Sequence, residues 1–83
     1  MNQADLEILW PNPQAYIQNA LHSCDLIDKL IQDPDEDSPR RIKANVDHLI
    51  GTLAHTFFAP LITAEQEATM RASISAGERF LNS

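Results

Sequence analysis

A single cysteine, Cys24, stands among the 83 residues, which excludes an internal disulfide. No four-ligand zinc set of Cys and His accompanies it. Glycine is almost as scarce, with Gly51 and Gly77 only, and neither follows Asn or Asp. The tight hairpin turns that an antiparallel sheet needs are therefore missing. Six Lys and Arg against twelve Asp and Glu leave a charge of −6, which argues against nucleic acid as the default partner. The longest apolar run is a handful of residues, too short to span a membrane. The opening residues lack the basic, apolar and small-residue series of a signal peptide, so a cytoplasmic protein is expected. There is no glycine-rich loop, nucleophile elbow or visible acid–base pair. Neither catalysis nor a cofactor is expected.

What is present is helical. The length suits one domain over residues 1–83, and 43% hydrophobic content supports a small core. Residues 1–11 read as a short helical arm carrying Leu6, Ile8, Leu9 and Trp10. Asn12-Pro13 is a cap followed by proline at the first helical position, where its missing N–H costs nothing. From there Ile17, Ala20, Cys24, Ile27 and Ile31 recur in steps of three and four, predicting a helix over 13–32. Ser38-Pro39 repeats the cap signal, and Ile42, Val46, Leu49, Leu53 and Phe57 predict a second helix over 39–58, with Ile50 and Ala54 at its margin. Thr63-Ala64-Glu65-Gln66 spells a capping box and opens a third helix over 64–82. Its face is narrow, with Met70, Ile74, Phe80 and Leu81 around the small Ser73 and Gly77, which permit close helix approach. The fold class is thus all-α, a small bundle of three amphipathic helices preceded by an arm. A core this thin favours self-association, so a homo-oligomer is expected.

Charge is unevenly spread. Residues 1–38 carry eight acidic side chains and one basic, a balance of −7; residues 39–83 carry four acidic and five basic, a balance of +1. Asp33, Asp35, Glu36 and Asp37 form an acidic turn over 33–38. Its spacing resembles the start of a calcium loop, yet the sixth position is Ser38 rather than Gly and the twelfth is Ala44 rather than Glu. Calcium is not expected. Such an acidic surface steers basic partners. Together with Trp10 it predicts binding to a protein partner.

The three histidines do not form a metal pair. His48 and His55 are seven apart, about 10 Å along a helix, and a shared ion needs the i, i+4 spacing. The one positive cluster, Arg40, Arg41 and Lys43, follows Ser38-Pro39 at a helix start, where free backbone N–H groups already favour anions. Arg41, His48, Thr52 and His55 share a flank of the same helix. An anionic ligand is the alternative reading of that flank, with Tyr16 contributing from the preceding helix.

Two resemblances bear on function. Ala44-Asn45-Val46-Asp47-His48-Leu49 and Ala72-Ser73-Ile74-Ser75-Ala76-Gly77-Glu78 resemble segments of small accessory proteins encoded by tailed bacteriophages, over about half of the chain. That implies a phage or prophage origin without naming an activity; a host protein is one candidate for the partner. Residues 13–58, two amphipathic helices joined by a Pro- and Ser-containing turn, are similar to the helical hairpin of phage anti-CBASS sponges. That resemblance implies an oligomer sequestering cyclic nucleotides, with Tyr16, Arg40 and Arg41 as ligand contacts. The expected function is a non-enzymatic interaction protein acting through its acidic surface. A nucleotide sponge and a structural virion component are the alternatives.

Overall fold

In a computed structural model the chain is described over residues 12–83; the N-terminal arm, with Trp10, lies outside the described residues. Three helices pack mutually: α1 (Pro13–Gln32), α2 (Ser38–Ala54) and α3 (Ala64–Leu81). A 3-10 helix at Ala59–Leu61 connects the last two. Every long helix therefore touches both others, as a three-helix bundle requires.

Local chemistry sets most of the boundaries. The Asn12 side chain accepts from the Gln14 N–H at 2.9 Å, with Pro13 as the first helical residue. At α3 the capping box is complete: Thr63 Oγ1 accepts from the Gln66 N–H at 3.1 Å, and Gln66 Oε1 accepts from the Thr63 N–H at 3.0 Å. Glu65 and Glu67 in its first turn and Arg79 in its last complement the helix dipole.

Two boundaries of α2 differ from the sequence pattern. Ser38 is not its cap. The helix begins at Ser38, whose buried hydroxyl faces back into the turn and accepts from the Asp35 N–H at 2.7 Å. The helix also ends at Ala54, four residues before the expected Phe58. His55 turns extended, and its Nδ1 accepts the Phe57 N–H at 3.1 Å, offering that amide a partner outside the helix. The break swings Phe58 inward, 8% exposed, and leaves Phe57 half exposed. The phenylalanine expected in the core is thus replaced by its neighbour.

The core is built chiefly by α1 and α2. Ile17, Ala20, Cys24 and Ile27 of α1 meet Ile42, Val46 and Leu49 of α2, all buried. On α3 only Met70 is a large buried side chain; Ser73 and Gly77 complete its inward face. Ile74, Phe80 and Leu81 pack against this cluster partly exposed. A Cβ on Gly77 would lie 2.6 Å from Val46 Cγ2, 3.2 Å from Ile42 Cγ2 and 3.6 Å from Ile27 Cγ2. Glycine there lets one backbone contact two neighbouring helices. Gly51 on α2 is exposed, with nothing within 4 Å of the corresponding position.

Buried polar groups are satisfied. Ser23 and Thr52 donate to the carbonyls of Asn19 and His48, one turn back, at 3.2 and 2.8 Å. No buried side-chain N or O lacks a partner among the described residues. Burial pushes the Cys24 thiol up, and the nearby Asp28 and Asp25 add to this, partly opposed by a hydrogen bond with Ser73.

The two glycines should respond oppositely to alanine. Gly51→Ala is expected to stabilise by about 0.5–1 kcal/mol through helix propensity alone. Gly77→Ala meets stiff β-branched neighbours and is expected to destabilise, an overpacking cost of about 1–3 kcal/mol exceeding the propensity gain. Urea unfolding of the two variants checks this; a more stable Gly77→Ala would show that close approach is not the role of that glycine.

Cys24 gives a second check. An unfolded thiol ionises above about pH 8.5 while the buried one stays protonated, so Cys24 should lower stability as pH rises beyond that point. A Cys24→Ser variant should lose that alkaline component, and alkylation of native Cys24 should be slow until denaturant is added. Equal alkylation rates in native and denatured protein would contradict the burial.

Candidate functional site

Three surface features could support function: an acidic face, an aromatic cluster and an apolar groove. The acidic face starts on α1. Asp25 and Asp28 are exposed and three residues apart, hence on one side of the helix. The chain then leaves the helix into the turn, where Asp33, Asp35, Glu36 and Asp37 are all exposed. The turn is ordered by its own side chains. Asp35 Oδ1 accepts from the Asp37 N–H at 2.9 Å and from the Ser38 hydroxyl at 3.2 Å. The Ser38 N–H donates to the Asp35 carbonyl at 3.2 Å. Asp35 therefore shapes the loop, while Asp37 meets Arg40 at 3.6 Å in a largely exposed pair worth little. Asp25, Asp28, Asp33 and Glu36 form no ion pair among the described residues. These four present uncompensated negative charge.

The aromatic cluster lies near the other end of the α1–α2 pair. Tyr16 stacks on Phe58 with centroids 4.2 Å apart and planes 10° from parallel. His48 tilts toward Tyr16 at 6.0 Å, and His55 and Phe57 flank Phe58 at 4.6 and 5.2 Å. One face of Tyr16 is thus occupied by Phe58. Of the residues considered for an anionic ligand, Tyr16 and His48 come together. Arg40 and Arg41 do not join them: α2 separates Arg41 from His48 by seven residues, about 10 Å of rise. Arg41 forms no ion pair among the described residues, and Lys43 is held by Asp47 at 3.0 Å.

The groove runs along the α2–α3 surface, about 440 Å³ in volume. Ile50, Leu53 and Ala54 line it from α2, and Ile74 and Ser75 from α3. Arg71 and Glu78 supply its charge, with Arg71 bound to Glu67 at 2.8 Å. Sequence reasoning placed Ile50 at a margin and Ile74 in the core; it did not join them into a surface. Nor did it assign Phe58, because the helix pattern continues past the break. The Asp25/Asp28 spacing, by contrast, was a usable signal for extending the acidic turn onto α1.

Among the described residues no three His, Cys, Asp or Glu side chains converge as metal ligands, and no helix is long and apolar enough to cross a membrane. Comparison of the chain with protein-family models, curated proteins and solved structures finds no match.

The aromatic stack yields a direct prediction. Phe58→Ala should cost about 2–4 kcal/mol, as loss of a buried ring does, whereas Phe57→Ala should cost well under half of that. Denaturant midpoints of the two variants decide it. The reverse order would mean that α2 continues to Phe58 with Phe57 inward.

Proposed function

We propose that the chain is a non-enzymatic helical interaction module that binds a basic region of a protein partner through the acidic face of α1 and its following turn. The observation that carries this reading is the set of exposed carboxylates without ion pairs at Asp25, Asp28, Asp33 and Glu36, beside a turn hydrogen-bonded through Asp35 and Ser38. An ordered loop presents its charges at fixed spacing, so less side-chain and backbone freedom is lost on binding. A concentrated negative field also raises the encounter rate with a basic surface.

The reading is tested with a Lys- and Arg-rich peptide as probe. Two variants remove equal charge from different places: Asp28→Asn/Asp33→Asn/Glu36→Gln on the acidic face, and Asp47→Asn/Glu65→Gln/Glu67→Gln on α2 and α3. At low salt the first should weaken binding about tenfold and flatten the salt dependence, the second by no more than about threefold. Equal losses would mean that only net charge matters, and the acidic face would not be the site.

A further inference from the structure

We propose that the α2–α3 groove is the interface of a homodimer, its occupant being the same face of a second copy of this chain. The groove is apolar where it is widest in side chain: Ile50 is 44% exposed, and Leu53 and Ile74 are only partly covered by the monomer's own core. Leaving these residues in water forgoes burial that association would supply.

The charges identify the occupant. Arg71 and Glu78 both line the groove from α3, seven residues and two turns apart, about 10 Å along the axis. Ile74 and Ser75 lie midway between them. A two-fold axis passing beside Ile74 and Ser75 runs two α3 helices antiparallel. It sets Arg71 against Glu78 of the partner subunit and, by symmetry, forms the same pair again. A self-complementary patch of this kind is what an isologous interface demands. Arg71 is already oriented by Glu67, whose Oε1 accepts from its Nε at 2.9 Å and pairs with its Nη2 at 2.8 Å. Glu78 forms no ion pair among the described residues and is available to the second copy.

Long-range charge points the same way. Two copies of a chain bearing −6 repel, but the residues from 39 onward, which build the groove, balance at +1. Among the described residues the excess acid lies on α1 and its turn, whose residues do not line this groove. Pairing through α2 and α3 therefore keeps both acidic faces exposed for a partner.

Sedimentation equilibrium of the full chain tests the proposal. At about 100 µM the wild type is expected to sediment at twice the 9.3 kDa chain mass, reversibly with dilution. Arg71→Glu and Glu78→Arg, both at exposed positions, should each weaken the dimer at least about tenfold, since each places like charges together twice. The double variant Arg71→Glu/Glu78→Arg restores opposite charges across the axis and should return the dimer constant to within about threefold of wild type. Ile50→Glu should give monomer, with circular dichroism confirming that each variant remains helical. A wild type of 9.3 kDa at that concentration overturns the proposal, as does a dimer indifferent to the single reversals or a double variant no better than either single. Peptide binding by the acidic face should survive in the monomeric variants, so failure of one idea is separable from failure of the other.

Discussion

The approach of α3 to the α1–α2 pair rests on the missing side chain at Gly77. Its Cα side faces Val46 and Ile42 of α2 and Ile27 of α1; a Cβ there would be too close to Val46 without movement, tight against Ile42 and in ordinary contact with Ile27. Glycine in a helix interior costs about 1 kcal/mol relative to alanine, so its presence must be offset by contacts that close approach allows. Those contacts are the burial of Met70 and Ser73 on one side and the covering of the α1–α2 seam on the other. An α3 held further out would leave Val46 and Ile42 facing a gap, and a gap too small for water forfeits dispersion without regaining hydration. Gly51 faces open space and helps no such packing, which is why two glycines in similar helices have opposite meanings.

That constraint also explains the open groove. With Met70, Ser73 and Gly77 turned inward, helical periodicity rotates Ile74 toward the flank that α3 shares with α2. Ile50 and Leu53 on α2 lie on the same flank, because the inward positions are filled by Val46 and Leu49. Among the described residues there is no further α-helix to cover this side. The partly exposed apolar surface is thus a consequence of how tightly the glycine face closes, rather than of excess hydrophobic residues.

How much of this was legible in the sequence follows from the range of the interactions concerned. The starts of α1 and α3 were readable because their determinants, Asn12 with Pro13 and Thr63 with Gln66, act over two or three residues. The helical stripes and the role of Gly77 as a small residue on a core face were readable for the same reason. The end of α2 was not. It depends on Phe58 reaching Tyr16, a contact between segments far apart in the chain, and the three-four spacing carries straight through the break to Phe57. Ser38 shows a subtler limit. Its residue type announced a helix start correctly, but Asp35 recruited the hydroxyl into the turn, so the start moved by one position. The acidic residues 33–37 were plain in composition. Their division into a loop-forming Asp35, a paired Asp37 and uncompensated Asp33 and Glu36 required the hydrogen bonds.

Connectivity decides which of these surfaces can act together. In an antiparallel hairpin the residues opening α1 oppose those closing α2, so Tyr16 meets His48 and Phe58 at one end while Arg40 and Arg41 remain at the other. A ligand bridging Tyr16 and the arginines would have to span about 10 Å of helix and approach Tyr16 away from the face on which Phe58 stacks. Asp25 and Asp28 precede the acidic turn on α1, with the exposed Lys29 one turn beyond Asp25. These carboxylates all lie between residues 25 and 37, while the described residues of α2 and α3 are nearly neutral in balance. The two proposals draw on different residues, Asp25, Asp28, Asp33 and Glu36 for a basic partner and Ile50, Arg71, Ile74 and Glu78 for a second copy, so neither contact would compete with the other.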